Sequence, residues 1–237
     1  MTVLDVQEVR RSFGGIHAVQ GVSFSLENQE IMGIIGPNGS GKSTLFNLLS
    51  GLVRPSSGKV LLNDRDITGW KPHRIARAGM GRTFQIPALF VNMTVQENLC
   101  AAVVQGDWKR ARERTDQVLD LMTLGDLRNE LASGLSGGQQ RLLEFGRVLM
   151  RDPQVFLLDE VTAGVHPTLR QTILDAIIRL RSEGRSFLVI EHDMELVRAV
   201  CERVIVMDAG QVVARGSFAE VAGDKTVIEA YLGVPTQ

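Results

Sequence analysis

The chain has 237 residues, 44% of them hydrophobic and 22% charged. That is room for one large domain, or a domain with a subdomain, at the balance of a soluble globular protein. Its 26 basic and 27 acidic residues leave a net charge of −1, so there is no basic excess for a nucleic-acid surface and phosphate binding must be local. Cys100 and Cys201 form neither a spaced pair nor a metal pattern and read as reduced thiols. No apolar run approaches the roughly 20 residues that span a bilayer. The opening Met1-Thr-Val-Leu-Asp-Val6 has no basic-then-apolar leader. A membrane role is therefore expected through a partner.

Residues 3–35 read as β, with Val22, Phe24 and Leu26 alternating with serines. Phe13 lies in a turn, Arg11-Ser-Phe-Gly-Gly15, where it either stacks on a base or belongs to the core. The apolar run Ile31–Ile35 then enters Gly36-Pro37-Asn38-Gly39-Ser40-Gly41-Lys42-Ser43-Thr44. This fits the phosphate-loop pattern G-x-x-x-x-G-K-[ST]. Its glycines permit positive φ and close backbone approach, and successive N–H groups form an anion nest. A helix is expected to start near Lys42, with Leu45, Leu48 and Leu49 at helical spacing, so that its N-terminus also favours phosphate. Lys42 is the candidate for the β- and γ-phosphates and Ser43 for Mg²⁺. The bland alternative is a glycine-rich strand-to-helix turn.

Lys59–Asn63 reads as a strand and Asn63–Asp66 as a turn. Pro72–Ala78 reads as a short helix, and Arg82–Gln85 as a short strand stopping at Ile86-Pro87. Strand signals then vanish until about residue 154. Thr94-Val-Gln-Glu97 is a capping box opening a helix. A second helix is expected over Trp108–Met122, where the basic Lys109, Arg110, Arg112 and Arg114 read as a solvated face. The block resembles a helical subdomain inserted into an α/β core. Ser133-Gly-Leu-Ser-Gly-Gly-Gln139 is a second glycine-rich element, followed by a helical face of Leu142, Phe145 and Leu149. Val155–Leu158 is a short buried strand ending in Asp159-Glu160, and Pro167 suits the first turn of another helix. Phe187–Ile190 is a strand ending in Glu191-His192. Val204–Met207 and Gln211–Ala214 form a hairpin, and short helices start near Ser217 and Thr226 and end by Gly233. Strands alternating with helices predict a mainly parallel sheet covered on both faces.

In such sheets ligands bind at the carboxyl ends of the strands. Gly36–Ser43, Gln85, Asp159, Glu160 and His192 all fall there. Asp159, after four apolar residues, suits a Mg²⁺-anchoring carboxylate, and Glu160 beside it is the candidate general base. The alternative is that the pair caps a strand or the next helix. His192 either hydrogen-bonds a γ-phosphate and orients water, or is structural. Gln85 alone is an ordinary surface amide.

Taken in order, Phe13, Gly36–Thr44, Gln85, Leu135-Ser136-Gly137-Gly138-Gln139, Val155–Glu160 and His192 resemble the ATP-binding cassette of ABC transporters along almost the whole chain. The Leu-Ser-Gly-Gly-Gln element is the most discriminating. The resemblance implies an α/β P-loop NTPase fold. Residues 1–86 and 151–237 would form a RecA-like catalytic core with an N-terminal antiparallel β region, and 87–150 an inserted α-helical subdomain. It also implies a dimer in which two copies, or two different cassettes, trap ATP head to tail. Phe13 would stack on adenine, and Gly36–Thr44 would hold the phosphates. Ser136, Gly137, Gly138 and Gln139 would meet the γ-phosphate held by the other copy. Ser43, Gln85 and Asp159 would hold Mg²⁺, Glu160 would activate water, and His192 would position the γ-phosphate. Integral membrane permease subunits would dock on the helical stretch, placing the chain peripherally at the cytoplasmic face of the inner membrane. A solute-binding protein would be an indirect partner. Val161 and His166 depart from the family, where proline and Asp or Asn are usual. Gly81–Gln85, Met93–Leu99, Ile190–Met194 and Val227–Gly233 resemble branched-chain amino acid uptake cassettes. Related urea and amide importers share much of this pattern, and the lipopolysaccharide-export cassette also resembles the chain, notably in its Tyr231-Leu-Gly233 ending; a soluble ABC ATPase without a transport role is the remaining alternative.

Overall fold

A computed structural model describes residues 1–103 and 108–232. It contains two sheets. The first is antiparallel, built from β1 (Thr2–Phe13), β2 (Ile16–Glu27), β4 (Ser57–Leu62) and β5 (Arg65–Asp66) in the order β2-β1-β4-β5. The second contains β3 (Ile31–Ile35), β6 (Met80–Arg82), β7 (Val155–Asp159), β8 (Ser186–Ile190), β9 (Arg203–Asp208) and β10 (Gln211–Gly216). Its order is β10-β9-β3-β8-β7-β6, parallel throughout except for the hairpin partner β10.

The apolar runs of this sheet are continuous because both faces are covered. Side chains alternate between two cores. Met32, Ile34, Val155, Leu157, Leu188 and Ile190 face a core shared with the first sheet and with α1 (Lys42–Leu49). Ile31, Ile35, Phe156, Leu158, Phe187 and Val189 face the opposite one. That second core includes α3 (Val95–Cys100), α4 (Trp108–Leu121), α5 (Gly137–Leu149) and α6 (Pro167–Ser182). The remaining helices are α2 (Pro72–Arg77), α7 (Met194–Val200), α8 (Phe218–Ala222) and α9 (Lys225–Leu232). Gly233, expected to close the last helix, lies outside the described residues. Between β6 and β7 the described residues hold no strand, only a single bridge, Thr94 to Leu131.

Local chemistry sets the boundaries. The Thr94–Glu97 capping box is formed in both directions, with Thr94 N–H donating to Glu97 at 2.8 Å and Glu97 N–H to the Thr94 hydroxyl at 3.2 Å. Three details differ from expectation. The strand read over Arg82–Gln85 covers Met80–Arg82 instead, because after Thr83 N–H donates to Leu157 O the next N–H, that of Phe84, turns to the Glu144 side chain. Asn63 and Asp64, both at positive φ, make a tight turn that lets Arg65–Asp66 pair back onto β4. Arg114 does not belong to a solvated face: it donates to Leu149 O and pairs with Asp152, closing the carboxyl end of α5.

Phe156 is fully buried, stacked on Phe187 with centroids 4.8 Å apart and edge-on to Phe145 at 6.1 Å. It therefore ties α5 to the strand that ends in Asp159. Phe156→Ala should lower folding stability by about 3–5 kcal/mol, read as a reduced urea midpoint; a change below about 1 kcal/mol would contradict this packing role.

Candidate active site

The phosphate loop leaves β3 through Gly36, at φ 147, and enters α1 through Gly41, at φ 103. A Cβ at Gly36 would stand 2.0 Å from Met207 O, and one at Gly41 2.4 Å from Ala18 O. Both glycines are therefore required by close backbone approach. Ser40 O accepts from Gly210 N–H at 3.0 Å, and Gly210 O from Gln20 N–H at 2.8 Å, which pins the loop to the β9–β10 turn and to β2. Lys42 is buried. Its Nζ donates to Gly36 O at 2.8 Å and Pro37 O at 2.9 Å, bracing the curve of the loop from inside. Burial lowers its pKa, and Glu160 and Asp159 oppose that shift.

Glu160 is the first residue past β7, and its main chain is left-handed at φ 49. Few non-glycine residues adopt this conformation, and here it is locked. Glu160 N–H donates to Ile190 O at 2.9 Å across the β7–β8 edge. His192 Nε2 lies 2.9 Å from Glu160 Oε1, and Gln85 Nε2 donates to Oε2 at 3.3 Å. These three side chains and residues 38–44 line one cavity of about 530 Å³, together with Ile16, His17, Ala18, Gln20 and Ala209.

Other expected residues lie elsewhere. Phe13 is 44% exposed with the Arg11 guanidinium 4.6 Å from its ring, so it is not a core residue, but the side chain bordering the cavity is that of Ile16, 73% exposed. Leu135–Gln139 do not line the cavity. Ser136 and Gln139 form a reciprocal capping box at the start of α5: Ser136 N–H donates to Gln139 Oε1 at 2.9 Å and Gln139 N–H to Ser136 Oγ at 3.4 Å. Asp159 is buried beside the cavity, and its Oδ2 pairs with Arg82 at 3.2 Å. Burial raises its pKa against the pull of Arg82.

Three contributors were not singled out from the sequence. Arg82 also donates to Asn47 and Ser50, joining Asp159 to α1. Glu191 is buried and accepts from Thr162 N–H at 3.2 Å and Thr162 Oγ1 at 3.0 Å, clamping the strand end that carries His192 to the segment after Glu160. Glu144 supports the backbone beside Gln85. Only Glu191 left a signal, a carboxylate at the end of an apolar strand. Val161 is buried in the core under this segment. His166 has a local role: its Nδ1 accepts from Thr168 N–H at 3.4 Å as the N-cap of α6, the place an Asn or Asp side chain fills in other helices.

The family whose description is "ABC transporter" matches residues 19–163. The chain belongs to the ABC transporter ATP-binding cassettes. A second match, described as "Branched-chain amino acid ATP-binding cassette transporter", covers residues 211–235 of this cassette. The cassette is 37% identical to a probable branched-chain amino acid transport ATP-binding protein, LivG, of Archaeoglobus fulgidus, over 98% of this chain and 96% of the relative. It is 34% identical to the lipopolysaccharide export ATP-binding protein LptB of Haemophilus influenzae, over 98% of each. Among solved structures it superposes on the ADP conformation of MJ1267, an ATP-binding cassette of an ABC transporter, with TM-score 0.90 and 34% identity, covering 98% of this chain and 99% of that one. The cassette is thus a P-loop ATPase that binds ATP or ADP and couples hydrolysis to transport through membrane subunits. No helix among the described residues is long and apolar enough to cross a membrane.

The folded cassette holds the Glu191 proton more tightly than the unfolded chain, because burial raises that pKa. Its contribution to stability is therefore greatest at low pH and declines as pH rises from the ordinary glutamate value, about 4.3, through the raised folded value. Glu191→Gln keeps an oxygen for Thr162 and removes the buried charge. It should be more stable than the parent at pH 8, with the gap closing toward pH 4 in urea unfolding. A variant less stable at pH 8 would mean that the charge itself is needed.

Proposed function

We propose that this cassette hydrolyses Mg²⁺-bound ATP to drive uptake of branched-chain amino acids. The observation that carries the catalytic part is the locked Glu160 carboxylate, held by His192 and Gln85 in the cavity that also contains the phosphate loop and Lys42. The match over residues 211–235 and the branched-chain relative support the cargo.

In this reading the loop N–H groups and Lys42 take the phosphates, and the exposed Phe13 ring, which does not line the cavity itself, stacks on the adenine where it projects past the rim. Glu160 accepts the proton of the attacking water. His192, with Nε2–H toward Glu160 Oε1, fixes the orientation of that carboxylate and can turn the same donor to the γ-phosphate. The donor set fits Mg²⁺: Ser43, Gln85 and Asp159 offer hard oxygens, the first two lining the cavity and Asp159 buried beside it. A magnesium ion shared with substrate phosphates needs only such a sparse set. When bound, it neutralises charge on the transferring phosphoryl group.

The Ser136–Gln139 segment stands outside its own cavity, so it serves the site of a second cassette in a head-to-tail dimer, identical or not. A separate groove of about 340 Å³ is floored by Ile75, Met80 and Val148, and Arg82, Glu144, Arg147 and Arg151 also line it. It is the place for a permease segment, with residues 87–150 moving as a helical subdomain against the core at the cytoplasmic face of the inner membrane. A solute-binding protein then delivers the amino acid on the other side. Uptake of labelled leucine by cells lacking this chain should return with the parent and not with Glu160→Gln; uptake unaffected by loss of the chain would refute the cargo.

Two variants test the chemistry. Glu160→Gln should bind ATP within about twofold of the parent and lose hydrolysis by about 10²-fold or more. Undiminished turnover would remove Glu160 as the base. Lys42→Ala should weaken ATP about 10–100-fold, the loss of charge-assisted hydrogen bonds. An unchanged dissociation constant would mean that the phosphates lie elsewhere.

A further inference from the structure

Helix α5 turns Arg141, Glu144 and Arg147, spaced three apart, toward the main chain of residues 84–88. Glu144 is buried, and its Oε1 accepts from Phe84 N–H at 2.9 Å. Arg141 donates to Phe84 O at 2.8 Å and to Gln85 O. Arg147 donates to Ala88 O and lays its guanidinium 4.8 Å from the Phe90 ring centroid. Arg141 lies 3.7 Å from Glu144 Oε2, so the carboxylate also balances the arginines that hold the segment.

This arrangement replaces a sheet. The last ladder bond of the strand is Thr83 N–H to Leu157 O. Beyond it the main-chain groups of Phe84 and Gln85 turn to side chains of α5. A buried carboxylate here costs desolvation that a leucine would avoid, and what it holds is the main chain of Phe84. One residue further on, Gln85 carries the amide that meets Glu160.

We propose that Glu144 is a positioning residue for Gln85, acting through the main chain of residues 84–88 with Arg141 and Arg147 as its braces. The inference rests on the reading of Gln85 as a contact of the catalytic carboxylate. Phe84, Glu144 and Arg147 also line the groove, so the element that fixes Gln85 and the wall of the groove share these residues. Glu144 lies far from the phosphate loop in sequence and takes no part in its hydrogen bonds, so its loss should change turnover rather than ATP affinity.

The test is a double-variant cycle on the full chain, reading kcat, KM and ATP binding. Gln85→Ala should lower kcat about tenfold or more. Glu144→Ala should lower it about fivefold or more with the ATP dissociation constant within about twofold, and Glu144→Gln, which retains an acceptor for Phe84 N–H, should recover most of that loss. The double variant Gln85→Ala/Glu144→Ala should then be no slower than Gln85→Ala alone by more than about twofold, because both act on one contact. Losses that multiply, with Gln85→Ala itself impaired, would overturn the role of Glu144 and leave the reading of Gln85 intact. A Gln85→Ala variant with parental kcat would overturn both. Should Glu144→Ala fail to fold, Arg147→Met, which keeps an unbranched stem over Phe90, takes its place in the cycle under the same criteria.

Discussion

A single hydrogen bond sets the geometry of this molecule's chemistry, that from Glu160 N–H to Ile190 O. It closes the β7–β8 ladder at the Asp159–Ile190 pair, and Glu160 then leaves the strand with a left-handed main chain. The left-handed φ takes Glu160 out of the strand alternation, and its side chain lines the cavity that holds the phosphate loop. The strain is carried by what lies on both sides. Phe156 and Phe187 stack beneath the two strands, Glu191 clamps Thr162 from above, and His192 and Gln85 hold the carboxylate oxygens. Residues in sparsely populated conformations persist only where the surroundings over-determine them, and here four separate elements do so.

The parallel sheet was legible because its strands are buried on both faces and read as unbroken apolar runs. The phosphate loop was legible because glycines at fixed spacing before Lys42 have one mechanical use. Thr94–Glu97 announced its helix by local chemistry alone. Legibility failed where a backbone group chose a distant partner. Arg82–Gln85 carries strand-like residues, yet the strand stops at Arg82, since Phe84 pairs with Glu144 sixty residues later. The same holds for Arg82 with Asp159 and Thr162 with Glu191. Such pairs have no periodicity to betray them. His166 shows the converse: its departure from the family's Asp or Asn has a local account as an N-cap, visible only once α6 is seen to start at Pro167.

The cavity holds the loop, the lysine and the carboxylate of one chain and none of Leu135–Gln139. That division gives the fold its mechanical sense. The glycine-rich element begins α5, whose later turns grip the main chain beside Gln85 and line the groove. One helix thus runs from the segment proposed to meet a second cassette, past the segment that meets Glu160, to the groove proposed for a membrane subunit.

In the proposed head-to-tail dimer each chain carries half of each hydrolytic site. ATP hydrolysis per chain, followed across about a hundredfold dilution at saturating nucleotide, tests it most directly. The rate per chain should fall on dilution and rise to a plateau as chains pair. A rate per chain that stays constant across the whole range in a monomeric protein would contradict it.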